Sequence, residues 1–86
     1  MITERAREAE HLVMADRHIA EGEQRVSNQA LLVERLCARG YDTVQADNLL
    51  RIFEMTLTEW RAHRVLIVQR IEQIDASLTE PGRYAR

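Results

Sequence analysis

Apolar residues recur at intervals of three and four along the second half of the chain, from Thr43 to Leu78. In heptad numbering, nine of the ten a and d positions here are apolar, and only Arg64 interrupts the stripe. These positions are Ala46, Leu50, Phe53, Leu57, Trp60, Arg64, Ile67, Ile71, Ile74 and Leu78. The spacing predicts one helix over residues 44–78, roughly 50 Å long at about 1.5 Å per residue. Within an 86-residue chain, such a rod needs a partner of equal length.

The first half of the chain carries a looser version of this spacing, which predicts a helix over residues 3–38. Thr3 can cap its first turn, and no proline interrupts it. The a positions are Leu12, Ile19, Val26 and Val33, and the d positions are Ala15, Gly22, Gln29 and Leu36. Because three of these d residues are small or polar, the seam of this helix is expected to pack less densely than that of the second.

Residues 39–43 are predicted to form the turn between the two helices. Gly40 suits the left-handed residue that ends a helix, and either Asp42 or Thr43 can cap the next one. So short a connection makes the helices antiparallel neighbours. The second helix is expected to stop before the Pro81-Gly82 pair.

The chain is therefore expected to form one all-α domain over residues 1–86, a long antiparallel two-helix hairpin with a frayed tail at 79–86. Folding about the turn sets Ala15 opposite Ile67, Gly22 opposite Trp60 and Val26 opposite Leu57. The one glycine of the first helix would thus face the one tryptophan of the second. Large residues against small ones fill a core well, which favours this register.

Both helices also carry apolar residues away from the seam. They are Leu49, Ile52, Met55, Val65, Leu66 and Val68 in the second helix, and Leu31 and Leu32 in the first. A single hairpin leaves most of them in water, and contiguous apolar surface of this kind marks association. We therefore expect a homodimeric four-helix bundle that serves as a structural or regulatory protein–protein interaction module. Binding to a different helical protein is the main alternative partner.

Charged residues flank the seam along two edges of opposite character. The histidine edge carries His11, His18, Arg25, His63 and Arg70, and the acidic edge carries Asp16, Glu23, Asp47, Glu54 and Asp75 with Arg61. The register sets His18 beside His63, His11 beside Arg70 and Glu23 beside Arg61, and it leaves Asp16 as the carboxylate nearest to Arg64. Such edges can fix how one hairpin docks on another, unless both are merely solvated.

Two further kinds of site can be weighed on these edges. His18 and His63, with Glu59 one turn earlier, come nearest to a metal site, but HExxH and the ferritin-like Glu-x-x-His pattern are both missing, so no metal is expected. A nucleic-acid-binding bundle is the alternative function, although its arginines are dispersed among more acidic residues. Its face would comprise Arg61, His63, Arg64 and Arg70. Across both functions, the expected interaction residues are Leu49, Ile52, Met55, Arg61, His63, Arg64, Leu66 and Arg70.

Composition excludes several other classes of protein. A formal charge of −2 with 45% hydrophobic and 30% charged residues is typical of a soluble helical protein. Lysine is absent, which removes Schiff-base and Walker-type lysines. Cys37, the only cysteine, is expected to be a buried thiol. Without a catalytic motif, cofactor motif, leader or apolar span, we expect a non-enzymatic, cofactor-free cytoplasmic protein with no membrane partner.

The chain contains the runs HIAEGE at 18–23, GYDT at 40–43 followed by ADNLL at 46–50, and the stretch 53–64 that ends in RAHR. These three runs resemble those of short bacterial helical-hairpin proteins of unassigned function. The likeness covers residues 11–71. It implies a small stand-alone protein of this layout and carries over no activity, cofactor or site residue.

Overall fold

The computed structural model describes residues 2–79, which form two long helices packed against each other as an antiparallel hairpin. Helix α1 spans Glu4–Ala38 and helix α2 spans Val44–Thr79. The predicted hairpin is confirmed, and the predicted helix limits agree with these bounds to one residue. Helix α2 continues to Thr79, where the tail was expected to begin. The Pro81-Gly82 stop and the rest of the expected tail lie outside the described residues.

The end of α1 follows from local hydrogen bonding around Gly40. Its φ angle is 76°, in the left-handed region that glycine adopts without a steric penalty. The Tyr41 N–H donates to the Leu36 carbonyl at 2.9 Å, and the Gly40 N–H donates to the Cys37 carbonyl at 3.0 Å. These two bonds define a Schellman motif, with Gly40 as the left-handed residue that the sequence predicted.

Both predicted capping residues contribute to the start of α2. The Asp42 carboxylate accepts a hydrogen bond from the Val44 N–H at 2.9 Å. The Thr43 carbonyl accepts from the Asp47 N–H at 2.8 Å, and the Thr43 hydroxyl donates to the Asp47 carboxylate at 2.9 Å. At the other end of the hairpin, the Thr3 hydroxyl accepts from the Ala6 N–H at 3.1 Å and caps α1. Side-chain capping thus sets where each helix begins.

The interior of the hairpin is a single thin seam. Its buried apolar residues are Ala15, Leu57 and Ile67, and no large side chain of the described residues is fully buried. The radius of gyration is 20.1 Å, whereas a compact chain of this length has about 12 Å. The accessible surface is 6879 Å², against about 5,200 Å² for a compact monomer of this mass. The hairpin therefore lacks the depth of a globular core.

The register near the middle of the seam differs from the prediction. The atoms nearest to a Cβ built on Gly22 all belong to Leu57, the closest at 3.2 Å. Trp60 instead stacks on His18, with ring centroids 4.2 Å apart. The predicted pairing of Gly22 with Trp60 is therefore wrong by about one helical turn. Farther from the turn, Ala15 and Ile67 are both buried in the seam.

Candidate interaction surface

Three ion pairs cross between the helices on the acidic edge. The atom pairs are Arg5 Nε and Asp75 Oδ1 at 2.7 Å, Arg64 Nε and Asp16 Oδ1 at 2.6 Å, and Arg61 Nη2 and Glu23 Oε2 at 2.9 Å. The predicted neighbours of Arg61 and Arg64 are thus confirmed. Arg64 occupies a seam position, but its guanidinium group reaches this edge, and its side chain is about half exposed. The cation in the apolar stripe is thereby kept hydrated and paired.

Aromatic rings cluster on the histidine edge. His18 stacks on Trp60 at 4.2 Å with the ring planes 18° apart, and His63 meets the same indole at 5.7 Å with the planes 71° apart. Such offset and edge-on geometries suit the charge distribution of aromatic rings. Each of the two histidines that could have shared a metal therefore makes a ring contact with Trp60. Among the described residues, no three His, Cys, Asp or Glu side chains come together as a metal-ligand set.

Glu8 is the most buried charged residue of the described chain, with only 5% of its surface exposed. Its Oε2 accepts a hydrogen bond from Arg70 Nη1 at 3.3 Å, and its Oε1 lies 3.5 Å from Nδ1 of His11. Glu8, His11 and Arg70 line one open groove with Trp60 and His63. The predicted neighbourhood of His11 and Arg70 is thus built around a carboxylate.

Sequence reasoning missed Glu8 although the signal was present. Glu8 lies seven residues before Ala15 and continues the d positions of α1 into its first turns. In the sequence, a charged residue at this position suggests that the apolar stripe has ended. It is instead a seam position whose charge Arg70 neutralises from the facing helix.

Two carboxyl groups have pKa values below their ordinary range. Burial by itself raises the pKa of Glu8, but the hydrogen bond and charge of Arg70, and then the nearby imidazole of His11, more than offset it, and the net direction is downward. The hydrogen bond from Arg5 lowers the pKa of Asp75, opposed by desolvation and assisted by the charge of Arg5. The same pairing raises the pKa of Arg5. Both carboxylates therefore stay ionised to more acidic pH when the hairpin is folded.

Large apolar side chains remain exposed along both helices. The described ones are Ile2, Val13, Met14, Leu31 and Leu32 on the α1 side, Tyr41 in the turn, and Val44, Leu49, Ile52, Met55, Val65, Leu66 and Leu78 on α2.

Neither helix has a long enough apolar stretch with few charges to cross a membrane, within the residues described. Cys37 is also exposed, so the expectation of a buried thiol is wrong.

The eight expected interaction residues separate into three groups on the hairpin. Leu49, Ile52 and Leu66 lie on the same face of α2 as His63 and Arg70, which belong to the histidine edge. The helical repeat places these residues on one side of the helix. Arg61 and Arg64 lie on the acidic edge, where carboxylates of α1 pair with them. Met55 lines a separate open groove on α2 together with Arg51, Glu54, Thr58 and Glu59. The expected set is therefore not one continuous surface.

No family model, curated protein or solved structure matches this chain. Function must therefore be inferred from the surface of the hairpin itself.

Proposed function

We propose that the protein is a structural or regulatory protein–protein interaction module that acts as a homodimer of helical hairpins. The main observation in support of this proposal is that few of the apolar side chains of the hairpin are buried. Among the residues that the structure describes, three small or aliphatic side chains are buried in the seam, while many large apolar side chains lie in contact with water. A second hairpin would cover them and close a four-helix bundle, the simplest symmetric arrangement for such a chain.

The surface area supports association on the scale of a stable interface. The hairpin exposes 6879 Å², about 1,600 Å² more than a compact monomer of its mass. A standard specific interface removes about 800 Å² from each partner. A dimer through one face of the hairpin therefore fits within the excess surface and leaves the opposite face for another protein.

The ion pairs weigh against the alternative of nucleic-acid binding. Arg61, Arg64 and Arg70 belong to the face suggested for that function, and each pairs with a carboxylate on α1. Phosphate contacts would have to compete with these internal partners for the guanidinium groups. An interaction driven by apolar surface has no such competition.

The concentration dependence of thermal unfolding tests the proposed dimer. If folding is coupled to association, mass action raises the unfolding midpoint as the chain concentration increases. We expect the midpoint, followed by circular dichroism at 222 nm, to rise steadily across a hundredfold range of concentration. A midpoint that stays constant across that range would show that the hairpin folds alone.

A further inference from the structure

The two faces of the hairpin differ in how many ion pairs join the two helices. The acidic edge is crossed by three ion pairs, from Arg5 with Asp75 near the open end to Arg64 with Asp16 and Arg61 with Glu23 near the middle of the hairpin. Covering that face would strip water from three ion pairs, at a cost that their attraction need not repay. On the histidine edge, by contrast, one ion pair joins the two helices among the described residues. It is formed by Glu8 and Arg70.

Exposed leucine and isoleucine side chains lie near the turn on the face of the histidine edge. Leu32 and Leu49 lie at the same heptad position as the histidines of that edge, directly beside the seam, and Ile52 lies next to Leu49. Each is between 40% and 55% exposed. These three residues, which we call the turn-end patch, are close to the connection between the helices. Farther along the same face follow the ring cluster around Trp60 and then the Glu8–Arg70 pair.

We propose that two copies of the chain pack through the face of the histidine edge, with both turns at the same end of the bundle. This inference rests on the proposed homodimer and specifies its geometry. A two-fold axis along the bundle sets the turn-end patch of one copy against that of the other. It also sets α1 of one copy over α2 of its partner.

The reverse arrangement matches the surfaces poorly. With the turns at opposite ends, the turn-end patch of each copy would face the Glu8–Arg70 pair of the other. The pair would lose water without gaining a new charged partner, and the patch would lose its apolar contact. The order of surfaces along the hairpin therefore favours turns at the same end.

Disulfide cross-linking between single-cysteine variants tests both face and direction. All variants carry Cys37→Ala, and one member of each mixture carries a size tag. With turns at the same end, Leu32 on α1 of one copy lies over Leu49 on α2 of its partner. With turns at opposite ends, α1 pairs with α1, and Leu32 approaches the region of His11 instead. Leu32→Cys is therefore mixed with Leu49→Cys in one sample and with His11→Cys in another.

We expect the Leu32→Cys and Leu49→Cys mixture to give about tenfold more mixed disulfide than the mixture with His11→Cys, because bridging requires Cα atoms within about 7 Å. Dominant linkage to His11→Cys would overturn the proposed direction. A dimer by mass that forms neither mixed disulfide would overturn the proposed face and leave the homodimer intact. A monomer by mass would overturn the homodimer itself.

A matched pair of charge substitutions gives a second readout that does not depend on oxidation. Leu49→Arg places a cation in the turn-end patch, whereas Val65→Arg places one at an exposed site away from the histidine edge. We expect Leu49→Arg to halve the mass in solution and Val65→Arg to leave it unchanged, with helicity monitored in both. The opposite pattern would place the interface on the acidic edge.

Discussion

Buried polar side chains contribute to the seam of this hairpin alongside its aliphatic residues. Gln29 is 9% exposed and its amide donates to the carbonyl of Ala46 at 3.0 Å, which ties α1 to the first turn of α2. Glu8 makes the corresponding link near the open end through Arg70. A buried polar group must find such a partner, so each of these residues constrains the position of one helix against the other.

Acid should weaken the hairpin through Glu8 and Asp75. Their pKa values are lower in the folded chain than their ordinary values, so the unfolded chain binds more protons at acidic pH. Their contribution to stability is complete above about pH 5 and is lost as the pH falls through the lowered pKa values. We expect the acid loss measured by urea unfolding to be smaller in Glu8→Gln and in Asp75→Asn.

The control for this titration is Glu10→Gln, at an exposed position of α1. It should leave the acid dependence of the unfolding free energy close to that of the parent chain. If Glu8→Gln and Asp75→Asn lose stability with acid as steeply as Glu10→Gln does, the two pairings make no contribution to folding.

At the scale of the elements, the contact between Gly22 and Leu57 fixes how α1 meets α2. A side chain on Gly22 would begin 3.2 Å from the Leu57 Cδ1 atom, closer than ordinary contact. We expect Gly22→Leu to destabilise the hairpin by about 1 to 3 kcal/mol through overpacking, despite the better helix propensity of leucine. Chemical denaturation of the purified variant measures this loss.

A double-mutant cycle shows which residue Gly22 faces. Leu57→Ala in the Gly22→Leu background should remove part of the clash, so the two changes together cost less than their separate effects added. Trp60→Ala in the same background is the matched control and should show near-additive effects. Strong coupling to Trp60 with none to Leu57 would restore the register predicted from the sequence.

The helices could be predicted from the sequence because their signals are local. The 3-4 spacing, Thr3, Gly40 and the Asp42-Thr43 pair each act within a few residues, and the structure uses all of them. The offset between the helices is a tertiary property that accumulates over many turns. It depends on how side chains such as Leu57 and Trp60 pack between the helices, so counting residues from the turn misplaced Trp60 by about one turn.

The candidate surface was predictable only in part for a related reason. Hydrophobic residues away from the seam could be recognised from spacing alone, and Leu49, Ile52 and Leu66 are indeed exposed. The register also predicted the partners of Arg61 and Arg64, which pair with Glu23 and Asp16 on the acidic edge. Grouping these two arginines with the exposed apolar residues as one interaction surface was not supported, because they lie on the opposite edge from Leu49, Ile52 and Leu66.

At the scale of the whole molecule, Arg64 lies where the apolar seam meets the acidic edge. Its pair with Asp16 holds a charge beside the acidic edge, and such exposed pairs contribute only about 0 to 1 kcal/mol to stability. We propose that its main effect is to select the assembly by keeping that edge hydrated. Arg64→Leu is expected to raise the thermal midpoint and to produce altered or mixed oligomers in solution. A more stable variant that keeps the parent stoichiometry would limit Arg64 to covering the seam.

The mass of the native chain in solution tests the central claim most directly. Sedimentation equilibrium at micromolar concentration measures it without labels or substitutions, and the chain mass is 10.0 kDa. Because one hairpin leaves its large apolar residues uncovered, the proposed homodimer requires a mass of twice that value. A well-folded species with the mass of a single chain at that concentration would contradict the account.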